Sequence, residues 1–136
     1  MSSLRRVIDT NVISYIFKEN TLATLYKPHL NGFQLVLSFQ VLAELREWTL
    51  GDGWGERRER KLQDYLRPFV LIHSDERICT HWAEVMGQAK RSGRRMDAAD
   101  AWIAATALAL QCPLVTHNAA DFAGIGRLKL ITETTP

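Results

Sequence analysis

Ala101–Leu110 constrains the fold of this chain more than any other stretch. Of its ten residues only Thr106 is not apolar. A helix of that composition is apolar nearly all round, and such a helix is stable only with other elements packed against it. It opens on two carboxylates, Asp97 and Asp100, three residues apart. The fold therefore has to bury a helix and still place its acidic first turn somewhere useful.

The segments on either side supply what can bury it. Arg5–Ile8 reads as a short strand that ends at Asp9, and Asp9-Thr10-Asn11 starts a helix through Phe17. A second helical piece covers Thr21–Leu30, and Asn31-Gly32 marks a turn. Phe33–Leu37 is the next strand. Ser38 caps a helix over Phe39–Thr49, and Gly51-Asp52-Gly53 breaks it. A basic helix covers Trp54–Leu66, and Pro68 stops it before a third strand, Phe69–Ile72. Ser74 or Asp75 opens a further helix that Gly93 ends. Pro113 closes the apolar helix. Leu114–Thr116 is a strand, His117–Gly126 a loop and Leu128–Ile131 the last strand. Strands that alternate with helices predict an α/β fold on a parallel sheet with helices on both faces. Ligand sites in such sheets lie beyond the carboxyl ends of the strands. Asp9 and the Thr116–Asp121 loop both fall there.

Length and composition agree with one domain spanning residues 1–136. Hydrophobic residues make up 46% and charged residues 24%, which argues against disorder. No apolar run is long enough to cross a membrane, and the N-terminus lacks an apolar secretory core, so a cytoplasmic location is expected. Cys79 and Cys112 have neither metal nor redox spacing and read as reduced core thiols. The net charge of +2 does not by itself announce nucleic acid. Two local clusters say more: Arg57, Arg58, Arg60 and Lys61, interrupted by Glu56 and Glu59, and then Lys90, Arg91, Arg94 and Arg95, with no acid among them, which lead into Asp97.

Each acid taken alone has a structural explanation. Asp9 can cap a helix. Asp97 can cap another with Asp100 as its third residue. Glu44 can be a solvated helix residue, and Asp121 a turn residue. Taken together, Asp9, Glu44, Asp100 and Asp121 converge on one sheet edge. Two unit charges about 5 Å apart repel by roughly 3 kcal/mol at an effective dielectric of about 20. Four carboxylates there need a counter-charge. An oxygen-only set without His or Cys suits Mg²⁺ or Mn²⁺ rather than Zn²⁺, and such ions suit phosphoryl chemistry. The Lys90–Arg95 run is placed to hold a polyanion beside the acids, or else is a solvated helix end.

Four motifs occur in order: V-I-D-T-N (Val7–Asn11), S-F-Q-V-L-A-E-L (Ser38–Leu45), D-A-W-I-A-A-T-A-L (Asp100–Leu108) and L-V-T-H-N-A-A-D-F (Leu114–Phe122). The set resembles the PIN-domain family, and within it the VapC-type toxins of bacterial toxin–antitoxin modules. The resemblance covers essentially the whole chain. It implies a three-layer α/β/α sandwich on a central parallel sheet, and a Mg²⁺- or Mn²⁺-dependent ribonuclease that hydrolyses RNA phosphodiesters with metal-activated water. The family's acidic positions fall on Asp9, Glu44 and Asp100. Its last acid stands at the position of either Asn118 or Asp121; Asn118 is an amide here, which selects Asp121. Thr10, Asn11 and Thr116 match supporting polar positions, and Asp97 is a cap beside the site. His117 is expected to be structural and Ser38 a cap rather than a nucleophile. The resemblance also implies an antitoxin that inserts a basic residue among the acids, and a homodimer. Trp48, Trp54 and Tyr15–Phe17 are candidates for either interface.

Three rivals are weighed against this. A receiver-like or phosphatase-like domain needs an acid pair at the first strand and a late lysine; Asp9 stands alone and no lysine lies between Lys90 and Lys129. A catalytically inactive RNA- or protein-binding module is at odds with the intact acid set. A nuclease acting on DNA is not separated from one acting on RNA.

Overall fold

A computed structural model describes residues 4–51 and 53–134. Asp52 of the expected Gly51–Gly53 break, and the first three residues of the N-terminus, lie outside that description. The elements follow one another as β1 (Arg5–Ile8), α1 (Thr10–Phe17), α2 (Ala23–Leu30), β2 (Gln34–Ser38), α3 (Phe39–Gly51), α4 (Glu56–Leu66), β3 (Val70–Ile72), α5 (Glu76–Arg91), α6 (Ala98–Leu110), β4 (Leu114–Val115) and β5 (Leu130–Ile131), with one 3₁₀ turn at Ala119–Phe122. The strands form a single sheet in the order β3-β2-β1-β4-β5. Every pairing is parallel: Val7 stands beside Val36 on one side and Leu114 on the other.

This order places β1 at the centre, with the chain winding outward from it in both directions. The gap between β1 and β4 is the point where the winding reverses, and in open parallel sheets that is where ligands bind. Val7 and Ile8 are fully buried, as are Leu114 and Val115. Buried on both faces, these strands read as continuous apolar runs rather than alternating ones.

The apolar helix behaves as its composition demands. Seven of the thirteen α6 residues are buried, Thr106 among them. The Thr106 hydroxyl satisfies itself on the Trp102 carbonyl one turn back, at 2.9 Å. The helix packs on α5, α3 and β1. Asp97 is its N-cap, accepting from the backbone N–H groups of Ala99 at 2.8 Å and Asp100 at 3.2 Å. Gln111 ends it in a left-handed conformation, and Pro113 follows. Trp102 stacks on Trp82 and meets Phe39 edge-on, which closes the side of α6 turned away from the main core.

Ser38 caps α3 as expected, accepting from Gln40 and Val41 N–H at 3.1 and 3.2 Å. Two expectations need correction. Cys79 is exposed, because on α5 it stands one residue past the inward-facing Ile78; only Cys112 is a buried thiol, and neither is paired. The reading of Lys90–Arg95 as a solvated helix end holds for Lys90 and Arg91, the exposed last turn of α5, but not for Arg94. The helix stops at Arg91, and Arg94 turns inward onto the backbone of the Asp121 loop.

Candidate active site

The cleft at the carboxyl end of β1 begins with Asp9. It follows the last strand residue directly, so the strand fixes its position, and its role as N-cap of α1 fixes its direction. Its carboxylate accepts from Thr10 N–H at 2.8 Å, from the Thr116 hydroxyl at 2.7 Å and from the Asn11 amide at 3.3 Å. The residue is only 5% exposed. Burial pushes the Asp9 carboxyl up from its ordinary value. The three hydrogen bonds pull the other way, and the nearby Glu44 charge adds to the rise.

Thr116 comes from the neighbouring strand, just beyond the end of β4. It is fully buried, and its hydroxyl both donates to Asp9 and accepts from Asn118 N–H at 3.0 Å. Asn11 performs a parallel service. Its amide nitrogen faces Asp9, and its oxygen accepts from His117 N–H at 3.1 Å. These two residues bolt the β4 loop to the start of α1. His117 has its own tie: its Nδ1 meets the hydroxyl of the fully buried Tyr26, and Tyr15 and Tyr26 contact its ring edge-on. That placement fits the structural role expected of it.

Glu44 arrives on α3. One of its oxygens receives the Thr10 hydroxyl, and the other receives the Gln40 side-chain amide at 2.9 Å. Gln40 was not among the residues anticipated from the sequence. Its i,i+4 spacing to Glu44 was the available signal. Asp100 sits in the first turn of α6, half-buried. Among the described residues its carboxylate takes no hydrogen bond. Burial first, then the charges of Asp97, Asp9, Asp121 and Glu44, raise it from the ordinary 3.8 to about 6. One carboxylate thus feels all the other acids of the set.

Asp9, Thr10, Asn11, Glu44, Asp100 and Asn118 line one cleft of about 350 Å³, to which Trp48 also contributes. A second cleft of about 640 Å³ opens on the other side of Asp100, with Asp97, Asp121, Arg94 and Arg95 in its wall. Asp100 is common to both. Asp121 lies exposed in the 3₁₀ turn, where its backbone N–H closes on the Asn118 carbonyl at 3.0 Å. Arg94 braces this turn from behind, donating to the carbonyls of Ala123 at 2.9 Å and Gly124 at 3.4 Å. Gly124 has φ +83°, and a side chain there would meet the Arg94 guanidinium at 3.0 Å. The structure thus brings Asp9, Glu44 and Asp100 to one cleft, puts Asn118 beside them and holds Asp121 in the adjoining one. Among the described residues, no three His, Cys, Asp or Glu side chains converge closely enough to hold an ion as they stand.

Comparison with known proteins gives this arrangement a family. The PIN-domain family model matches residues 6–128. The chain is 31% identical over 125 residues to Ribonuclease VapC1 of Haemophilus influenzae strain R2866, covering 90% of this chain and 93% of that protein. Among solved structures, VapBC-1 from nontypeable Haemophilus influenzae superposes with a TM-score of 0.81 at 30% identity, over 94% of this chain and 97% of that one. VapBC2 from Rickettsia felis, solved on a DNA fragment from its promoter, gives a TM-score of 0.84 at 23% identity over 96% and 99%, a likeness of fold. With its strand order, its four ordered motifs and these relatives in agreement, the chain belongs to the PIN-domain family, in the group of the VapC ribonucleases.

Proposed function

We propose that this protein is an endoribonuclease, the toxin of a toxin–antitoxin pair, that works with Mg²⁺ or Mn²⁺ held among Asp9, Glu44, Asp100 and Asp121. The observation that carries the reading is the meeting of Asp9, Glu44 and Asp100 in one cleft at the point where the sheet reverses its winding. That geometry occurs in a chain whose relative is named a ribonuclease.

The residues fit a hard divalent cation by their chemistry. Every candidate ligand is an oxygen, and two of the carboxyls are raised in pKa by burial and mutual repulsion, which a cation would relieve. Their spacing is wider than that of a closed site, so uptake has to draw the side chains together by rotation. When bound, the cation supplies charge neutralisation for a scissile phosphodiester and activation of a water.

The chain's own residues do the positioning. Asp9 offers its remaining lone pairs from a carboxylate pinned by Thr10, Asn11 and Thr116. Asp100 faces it from the rigid first turn of α6. Glu44, steered by Thr10 and Gln40, completes the wall and orients the water. Ser38 is committed to its helix cap, so the reaction uses no covalent nucleophile from the protein.

The same reading includes an antitoxin, as in the VapBC structures that this fold resembles. The surface suited to an apolar antitoxin segment is the groove of about 600 Å³ between α3 and α4, lined by Leu42, Leu45, Leu62, Leu66 and Phe69, with Leu50 84% exposed beside it. It includes a homodimer as well. The direct test is RNA cleavage in Mg²⁺ by Asp100→Asn beside the wild type. The variant should fold and cleave nothing; a variant that cut the same RNA at the wild-type rate would remove Asp100, and with it the four-acid site.

A further inference from the structure

The acidic cleft has a neighbour of opposite character. Trp48, one wall of that cleft, is also a member of an aromatic cluster. Phe17 stacks on Trp54 at 5.5 Å between centroids and 10° between planes. Trp48 meets Trp54 edge-on at 4.6 Å and Phe17 at 6.1 Å. Three cations sit over these rings: Arg58 lies 3.9 Å from the Trp54 centroid, Lys18 lies 5.0 Å from that of Trp48, and Lys61 lies 5.7 Å from that of Phe17. All are within the reach of a cation–π contact.

All three cations are exposed, and among the described residues none forms an ion pair. The rings fix the heads of long side chains that would otherwise sample many rotamers, so little further order is lost when an anion arrives. A guanidinium lying over a ring keeps its edge N–H donors outward, in the fork that matches phosphate. The chemistry is that of a polyanion site rather than of an apolar docking face. The Trp54 ring has Phe17 stacked against it and Arg58 over it, and among the described residues the acids next in sequence, Glu19, Glu56 and Glu59, form no ion pair with the three cations.

Resting on the ribonuclease reading above, we propose that Lys18, Arg58 and Lys61, mounted on the Phe17–Trp48–Trp54 cluster, grip the phosphates of a single-stranded RNA and lead it past Trp48 into the acidic cleft. Single-stranded RNA is the substrate form that suits a cleft of about 350 Å³, because an unpaired nucleotide can be splayed out of the strand toward the acids. The carboxylates repel an RNA backbone, so an enzyme of this kind needs its backbone grip outside the cleft yet continuous with it. Trp48 provides that continuity.

The test measures RNA binding apart from cleavage. Fluorescence anisotropy with a labelled single-stranded RNA of about 12 nucleotides, in excess chelator, is read across a salt series. The variant K18Q/R58Q/K61Q is set against K27Q/R77Q/K129Q, which removes the same charge from exposed positions elsewhere. Thermal melting confirms that both fold. The first variant should lose on the order of a hundredfold in affinity near ~0.1 M salt, with its salt slope shallower by about 2, as expected for three lost phosphate contacts on a single strand. The second should bind nearly as the wild type does. Wild-type affinity in the first variant, equal loss in both, or no RNA binding by the wild type each overturns the proposal. So does a first variant that holds RNA normally but loses an antitoxin segment, since that assigns the surface to protein. A wild type that grips RNA through these cations yet cleaves none in Mn²⁺ would defeat the ribonuclease reading and leave the grip standing.

Discussion

The two sides of Asp100 are built on different terms. On one side Asp9 is buried and pinned by three donors from α1 and from the loop after β4, and Glu44 is held at both oxygens. On the other side Asp121 stands exposed in a single 3₁₀ turn, braced only through its backbone and through Arg94 behind it. The first half is pre-organised by side-chain hydrogen bonds; the second is adjustable. If the acids hold a cation as proposed, Asp9 would meet it already oriented, while Asp121 would have to be oriented by the cation itself.

This contrast can be broken by titrating Mn²⁺ into variants, with the largest effect expected at the fixed side. Asp9→Asn should reduce Mn²⁺ affinity by more than about a hundredfold, beyond the range of an outer partner. Thr116→Val removes only the group that holds Asp9, yet it should still lose about tenfold to a hundredfold in affinity. It should also destabilise the fold by about 1–3 kcal/mol, because Asp9 and the Asn118 N–H both lose a buried partner. Asp121→Asn should cost less than about tenfold, and adding Asn118→Asp to it should recover the loss. An Asp121→Asn effect as large as that of Asp9→Asn would show that the exposed acid is as fixed in the bound state as the buried one.

The smallest expected effect is on stability and sharpens the position of Asp100 between the halves. Its folded pKa of about 6 lies above the ordinary 3.8, so the folded chain binds this proton more tightly than the unfolded chain does. The cost of ionising Asp100 in the fold is therefore absent below about pH 4, grows between about 4 and 6, and is complete above that. In excess chelator, Asp100→Asn should melt above the wild type at about pH 7.5, and the gap should close as the pH falls toward 4. A constant gap across that range would mean that neither burial nor the neighbouring acids raise the Asp100 carboxyl.

Much of this was legible in the sequence, for reasons that differ from residue to residue. Asp9 was readable because it ends an apolar strand and begins a helix, two local signals at one position. Asp97 and Asp100 separated into cap and candidate site acid only through the motif resemblance, because the capping pattern alone accounts for both; the structure shows Asp97 as the cap. Glu44 was legible only through its company of apolar neighbours. Thr116 as the brace of Asp9 is a contact across 107 residues, and only the motif resemblance pointed to it. Arg94 was read with the solvated cations around it, because no local pattern says that a loop about thirty residues later will fold over its guanidinium. The tryptophans were expected at a groove or a dimer face; that Trp48 and Trp54 gather with Phe17 under cations was not legible, since the rings of α1, α3 and the segment before α4 meet only once the sheet has formed.

The hydrogen bond from Thr116 to Asp9 has a consequence for the order of events during folding. β1 is the central strand, yet its partner β4 lies on the far side of six helices in the sequence. Contacts of that separation form late, because a long loop has to close before anything stabilises the closure. The chain can complete β1–β2 and the helices α1 to α3 while Asp9 still lacks its buried donor. The most tightly specified carboxylate in the molecule is thus one whose surroundings are completed from a distant segment: a chain interrupted before Thr116 keeps the local donors Thr10 and Asn11 but lacks the buried hydroxyl that ties Asp9 to the strand beside it.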